Sequence, residues 1–331
     1  MKELIDPYGR GISYLRISVT SACNLHCVYC AKQRRHRIVS QLGLEEVERV
    51  ARCAVRLGIR SIRITGGEPL LHPNIVELVR RLSRLEGISK IMMTTNGLLL
   101  RHYAEALKTA GLNGINISLD SLSADKLRLI SGTEPESILE GIEVALYVGF
   151  ECVKLNCVVL RSLNLDEVEH IAALSIERPI HVRFLEYQPI GCKVEEFERE
   201  FVGMDEVLSR LQSKFKMEPV ECSEKPLGDG PACYWRIDGA VGMIGFIAPV
   251  SKPFCSSCNR LRITSDGMLR PCLAYDLGVD VKKALGEGDK AVEEAFRTAV
   301  MLKPAGHNFA SAKGMNLNRS TTSTPMNVIG G

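Results

Sequence analysis

No stretch of this 331-residue chain holds an apolar run approaching the roughly 18 residues of a membrane span. Met1–Arg10 has no signal-peptide core. These absences exclude a membrane partner and lead us to expect a cytoplasmic protein. Charge of one sign is lacking too: 42 Lys and Arg against 39 Asp and Glu leave +3. That is too little to make nucleic acid the main partner, although local arginine clusters could bind a small polyanion. Hydrophobic content of 45% and charged content of 24% are those of a globular protein that can build one large domain and a smaller one.

Cysteine is what the chain has in quantity. Twelve cysteines in a chain without a secretion signal read as metal or catalytic residues before disulfides. Cys53 lies in a helical pattern, and Cys152 and Cys157 lie in a strand pattern. There a free cysteine is usually a small buried hydrophobe. Six others form two tight groups: Cys23, Cys27, Cys30 and Cys255, Cys258, Cys272.

The first group follows a strand pattern, with Leu15, Ile17 and Val19 alternating with Arg16, Ser18 and Thr20 as in a half-buried strand. Its spacing is C-x3-C-x2-C. Thiolates this close suit zinc, copper(I) or an iron–sulfur cluster. A closed zinc site wants four protein ligands, whereas three leave a metal position open for a reacting ligand. A zinc knuckle would need His26 as the fourth, adjacent to Cys27, which is poor spacing for one metal.

Beyond the cysteines, helix and strand patterns alternate. Strands are expected at Ile59–Thr65, Lys90–Asn96, Gly114–Asp120, Cys152–Leu160 and His181–Gln188. Helices are expected at Leu44–Leu57, Ile75–Leu85, His102–Ala110, Ser137–Val148 and Asp166–Ile176. Such succession implies a parallel sheet with right-handed crossovers, either an incomplete (β/α)6 barrel or a doubly wound sheet. Polar residues gather where each strand ends, the place where a barrel builds its active site. The rhythm stops near residue 189. Gly191–Gly203 reads as irregular, Met204–Phe215, Val279–Leu285 and Ala291–Leu302 as helices, and Tyr234–Pro249 as short strands. The expected division is residues 1–188 as a partial barrel and 189–331 as a smaller α+β domain.

Gly66-Gly67-Glu68-Pro69 follows a strand directly; its glycines let a ligand approach the backbone, and Glu68 offers an acceptor for an ammonium group. Cys255 and Cys258, separated from Cys272 by thirteen residues after Cys258, again offer three thiolates, with His307 another 35 residues on as a strained fourth ligand. Arg260 and Arg262 adjoin them and face one side of an extended segment. Arginine forks suit oxyanions. Arg16, Arg63 and Lys154 lie on expected strands, where unpaired cations are costly to bury, so an anionic ligand is their natural partner.

Taken together, these motifs resemble a family. C-x3-C-x2-C with Tyr29 before the last cysteine, followed by GGEP, resembles the radical S-adenosylmethionine (SAM) superfamily. DPYGR, RITGGEP, TTNG, NISLDSL, VKLN, RFLE, CxxCNRLR, KPAGHN and the terminal Ile-Gly-Gly resemble its MoaA-type GTP 3′,8-cyclases, which open molybdenum cofactor biosynthesis. The resemblance implies two [4Fe–4S] clusters, one on each cysteine group, with SAM on the first and GTP at the second. It implies SAM contacts at Tyr29, Gly66, Gly67, Glu68, Ser118 and Gln188, and GTP contacts at Arg16, Arg63, Thr94, Lys154, Arg260, Leu261 and Arg262. Gly330 and Gly331 would act in catalysis. The implied reaction is abstraction of the ribose 3′ hydrogen by a 5′-deoxyadenosyl radical and attack of C3′ on guanine C8. The product would be (8S)-3′,8-cyclo-7,8-dihydroguanosine 5′-triphosphate, made with an external electron donor, and a homodimer is among the expectations. Departures are Ala31-Lys32 after the third cysteine, Ser61 where a lysine is frequent, His72-Pro73-Asn74 for a basic pair, and Gln188 where methionine usually meets SAM. Two other readings stay open: a radical SAM peptide modifier with an auxiliary cluster, and a zinc-stabilised nucleotide-binding protein.

Overall fold

The computed structural model describes residues 3–30, 41–309 and 326–330. Strands β1 (Leu4–Ile5) and β2 (Gly11–Ile12) form a small antiparallel ribbon. Then follow β3 (Tyr14–Ser18), α1 (Leu44–Arg56), β4 (Ser61–Thr65), α2 (Ile75–Ser83), β5 (Lys90–Thr95), α3 (Leu100–Thr109) and β6 (Gly114–Ser118). After them come α4 (Ala124–Ser131), α5 (Glu136–Tyr147), β7 (Cys152–Val159), α6 (Val168–Ala173) and β8 (Ile180–Glu186). Strands β3 to β8 pair in parallel and in sequence order. Amphipathic α1 shows why: Val47, Val50, Ala51 and Ala54 recur at helical spacing and are buried against the sheet.

The remaining chain completes this sheet. It forms α7 (Val194–Glu200), α8 (Met204–Lys214), β9 (Met217–Pro219), β10 (Cys233–Ile237), β11 (Ile244–Ile247), β12 (Arg260–Ile263), β13 (Met268–Arg270) and β14 (Val279–Asp280). Helices α9 (Val281–Glu287), α10 (Asp289–Met301) and α11 (Met326–Ile329) end it. Strand β11 lies parallel beside β8, and β12 parallel beside β3. The twelve strands run β14-β13-β12-β3-β4-β5-β6-β7-β8-β11-β10-β9, an open sheet with the incomplete barrel at its centre. Leu261, Ile263 and Phe296 share one apolar core with Leu15 and Ile62, so the chain on both sides of residue 189 packs as one body.

Three local readings change. Strand β3 is covered on both faces, not half-buried: Leu15 and Ile17 enter the core, while Ser18 is buried on the opposite, inner side. Helix α4 was unread in the sequence because ADKLRLIS buries only Leu127, Ile130 and Ser131. Gly191–Gly203 contains α7, whose charged turns hide one anchoring aromatic, Phe197, buried beside Tyr187 and Phe201.

Candidate active site

The barrel encloses a cavity of about 330 Å³, the size of a small-ligand site. Strand alternation decides what enters it. Arg16, Arg63, Thr94, Asn116, Ser118 and Arg183 line the cavity, while Leu15, Ile17, Ile62, Ile64, Ile115, Ile117, Val182 and Phe184 between them are buried in the core outside it.

Cys23, Cys27 and Cys30 follow β3 at the C-terminal mouth and line the cavity with Tyr29. Their loop is pinned by α4: His26 N donates to Ser131 O (3.1 Å) and Val28 N to Ile130 O (2.8 Å). Asn96 Nδ2 holds Asn24 Oδ1 (2.7 Å), and the Tyr29 hydroxyl donates to Asp120 Oδ2 (2.6 Å). His26 itself is exposed and outside the lining, so it does not complete a knuckle. Burial pushes Cys30 up to about 12 and raises Cys23 and Cys27. Cys27 is raised further by Cys30 and Cys23, and Cys30 by Cys23. Apolar burial of thiols that must be thiolates to bind metal suits a site whose charge arrives with a bound cationic cluster.

Gly66 and Gly67 line the same mouth. Gly67 N donates to Thr20 O (2.6 Å) and Glu68 N to Ala22 O (2.7 Å). A Cβ on Gly67 would stand 2.3 Å from Ala22 O, so glycine is required here by the neighbouring cysteine loop as well as by any ligand. Glu68 departs from expectation. It is fully buried, and its carboxylate accepts from Leu70 N (3.0 Å), Thr95 Oγ1 (2.6 Å) and Asn96 N (2.7 Å). It joins two strand-end turns and does not line the cavity as an ammonium acceptor. Burial pushes its pKa up to about 7. Ser118 and Gln188 do line the cavity.

Cys255, Cys258 and Cys272 line the same cavity beside the start of β12. Arg10, paired with buried Asp6, donates to the carbonyls of Cys255 (2.7 Å), Pro304 (2.6 Å) and Ala305 (3.0 Å). Lys303 Nζ donates to Arg260 O and Pro271 O, both at 2.8 Å. Distant segments thus brace the three-cysteine loop. Burial raises Cys258, yet Arg260 and Lys303 outweigh it and bring the thiol down to about 7. His307 also lines the cavity, with its ring stacked on Phe309 at 4.0 Å. Among the described residues no three Cys, His, Asp or Glu side chains converge tightly enough to hold a single metal ion. The two triads ring a cavity instead.

Between the triads lie the cations. Arg63 donates through Nε to the Tyr14 hydroxyl and through Nη1 to Thr94 Oγ1 (3.4 Å). The Arg260 guanidinium sits over the Phe254 ring at 4.8 Å. Burial, then mutual repulsion, lowers Arg16 and Arg183, brings Arg262 to about 10 and Lys154 to about 7. Such crowding is costly without an anion. Lys154 is buried beside the cavity, its ammonium held by Leu227 O. Leu261 points the other way, fully buried in the core, so its side chain is no ligand contact. Arg183, missed in the sequence, faces inward from β8 with Nη2 on Asn156 Oδ1 (2.5 Å). Its signal was the one used for its neighbours, a cation within a barrel strand. Gly330 reaches this region through a bond from Arg262 Nη1 to its carbonyl (2.8 Å). Gly331, Ala31 and Lys32 lie outside the described residues.

Residues 17–174 match the Radical SAM superfamily and residues 180–309 match Molybdenum Cofactor Synthesis C. A GTP 3′,8-cyclase of Pelotomaculum thermopropionicum is 45% identical over 92% of this chain and 94% of its own length. That of Petrotoga mobilis is 42% identical over 92% and 95%. Among solved structures, Streptococcus suis SuiB bound to S-adenosylmethionine aligns with a TM-score of 0.62 at 16% identity. It covers 83% of this chain, which spans 65% of the SuiB chain, and at that identity the likeness concerns the fold.

Proposed function

The chain belongs to the GTP 3′,8-cyclase family of radical SAM enzymes, and on that premise we propose how its residues divide the work. GTP is the substrate, and SAM with an iron–sulfur cluster are cofactors. Cys23, Cys27 and Cys30 hold that cluster, with Tyr29, Gly66, Gly67, Ser118 and Gln188 around the SAM subsite. Glu68 shapes the subsite from behind. Cys255, Cys258 and Cys272 hold a second [4Fe–4S] cluster facing the nucleotide. Arg16, Arg63, Thr94, Lys154, Arg183, Arg260 and Arg262 hold GTP between them, and the Gly330–Gly331 tail acts on it.

When bound, SAM and the first cluster supply the radical that opens the reaction at the ribose 3′ carbon. The chain supplies position and enclosure. Its barrel wall separates the reacting carbon from water and stray hydrogen donors, and its cations neutralise the triphosphate. The electron comes from an external donor. Residues 1–188 carry SAM, and 189–331 bring the second triad while completing the same sheet. Among the described residues no helix is long and apolar enough to cross a membrane.

The observation that carries this reading is that both cysteine triads and five arginines line one cavity. Anaerobic incubation with GTP, SAM and dithionite, followed by product identification and an iron count, tests it. We expect cyclised GTP triphosphate and about eight irons per chain. Four irons with full product formation would remove the second cluster.

A further inference from the structure

Arg63 and Arg183 sit at the middle of β4 and β8, Lys154 near the start of β7, and the connection between β9 and β10 lies against all three side chains. Leu227 O accepts from Lys154 Nζ. Gly228 has φ +129°, and a Cβ there would stand 3.3 Å from Lys154 Nζ and 3.8 Å from Arg63 Nη2. A Cβ on Gly230 would stand 3.8 Å from Arg183 Nη1. Two glycines therefore bring bare backbone against three buried cations. Between them Asp229 Oδ1 pairs with Lys90 Nζ at 3.2 Å.

Lys90 is placed for more than an ion pair. It opens β5 and is the register partner of Ser61 on β4. Residues 90, 92 and 94 share one strand face, and Thr94 lines the cavity. Lys90 thus extends the inward row past Met92 to the barrel's N-terminal rim, next to the row of Ser61, Arg63 and Thr65. Its side chain is 22% exposed and that of Asp229 27%, so the pair is neither locked in the core nor free in water. Arg183 Nε is buried without a hydrogen-bond partner among the described residues. An unpaired donor on a buried guanidinium beside a bare-backbone turn has the chemistry of an oxyanion contact.

We propose that Lys90, with the turn Gly228–Gly230, forms the subsite for the terminal phosphate of the nucleotide and makes the enzyme distinguish triphosphate from diphosphate. The inference rests on the GTP-cyclase reading and extends it to a residue outside the expected set. In this structure Asp229 and the Leu227 carbonyl occupy the ammonium groups of Lys90 and Lys154. The terminal phosphate, which carries the most charge of the chain, takes both ammoniums over, and the turn closes behind it as the wall of the subsite. A diphosphate ends short of that wall, over Arg63 and Arg183.

The test is equilibrium binding of GTP and GDP to the reconstituted holoenzyme carrying Lys90→Met or Asp229→Asn, with SAM binding and iron content measured alongside. For Lys90→Met we expect GTP affinity to fall roughly tenfold, GDP affinity to fall less than twofold, and SAM binding and iron to hold. Asp229→Asn removes the competing carboxylate and should tighten GTP without moving GDP. Equal losses for GTP and GDP in Lys90→Met, or no loss for either, overturn the subsite while leaving the cyclase reading in place. Weaker GTP binding in Asp229→Asn also overturns it. Wild-type enzyme that binds no GTP overturns both.

Discussion

Arg262 Nη1 donates to the carbonyl of Gly330 across 2.8 Å, so a cation assigned to the nucleotide also holds the end of the chain. Asn327 Nδ2 on Ser21 O (3.1 Å) and Ser265 N on Val328 O (3.2 Å) fix the preceding turn, with Val328 and Ile329 buried. Gly330 has φ +80°, and a Cβ would stand 2.2 Å from Thr65 Oγ1. Gly330→Val must therefore lift the tail away. We expect iron content and SAM cleavage to hold while cyclised product, measured by chromatography, falls at least about tenfold. Unchanged product formation would make the tail an idle strap.

The triads are separable by the same assay. Cys23→Ala should abolish SAM cleavage. Cys272→Ala should lose about four irons and keep some SAM cleavage, because its triad lies by β12 and not at the mouth beside α4. If Cys272→Ala emptied both sites equally, the assignment of two independent clusters would fail.

The site was legible in the sequence wherever a chemical group and a strand pattern coincided. Arg16, Arg63, Lys154 and both triads were found that way, and the cavity collects all of them except Lys154 into its lining. Arg183, a cation within an expected strand, meets the same criterion and lines the cavity as well. Arg10 and Lys303 could not be read: their function is to hold carbonyls of Cys255, Pro304, Ala305, Arg260 and Pro271, which only the folded chain brings near. The parallel succession of β3 to β8 followed from periodicity. That β11 and β12 would extend both edges of that sheet did not, because a four-residue strand such as RLRI carries no mark of its partner. Helix α4 was lost for a related reason, since two apolar anchors are too few to show a period.

Arg260 and Arg262 should dominate nucleotide affinity. Each charge-assisted phosphate contact is worth about 1.5–3 kcal/mol, so Arg260→Ala with Arg262→Ala should weaken GTP by roughly two to four orders of magnitude. SAM binding should change little. Titration of both ligands into the double variant checks this, and unchanged GTP affinity would move the nucleotide elsewhere.

Glu68 gives a pH dependence whose sign follows from its burial. Three donors favour its ionised form, but desolvation is larger and its folded pKa stands near 7, against 4.5 for the ordinary side chain. A carboxyl raised on folding contributes stability that is fully present below the unfolded pKa and is lost as pH rises through the folded one. Between about pH 4.5 and 7 the wild type should therefore give up on the order of 3 kcal/mol from this one group. Asp120 is raised in the same direction, to about 6, and would obscure the slope in the wild type alone. Glu68→Gln keeps the shape and an acceptor for Asn96 N, and Asp120 is common to both proteins, so it cancels in the difference. Anaerobic thermal unfolding of both proteins from pH 5.5 to 8 should show the wild type losing stability relative to the variant as pH rises. Parallel curves would mean that Glu68 is already ionised throughout, and that its three donors outweigh its burial.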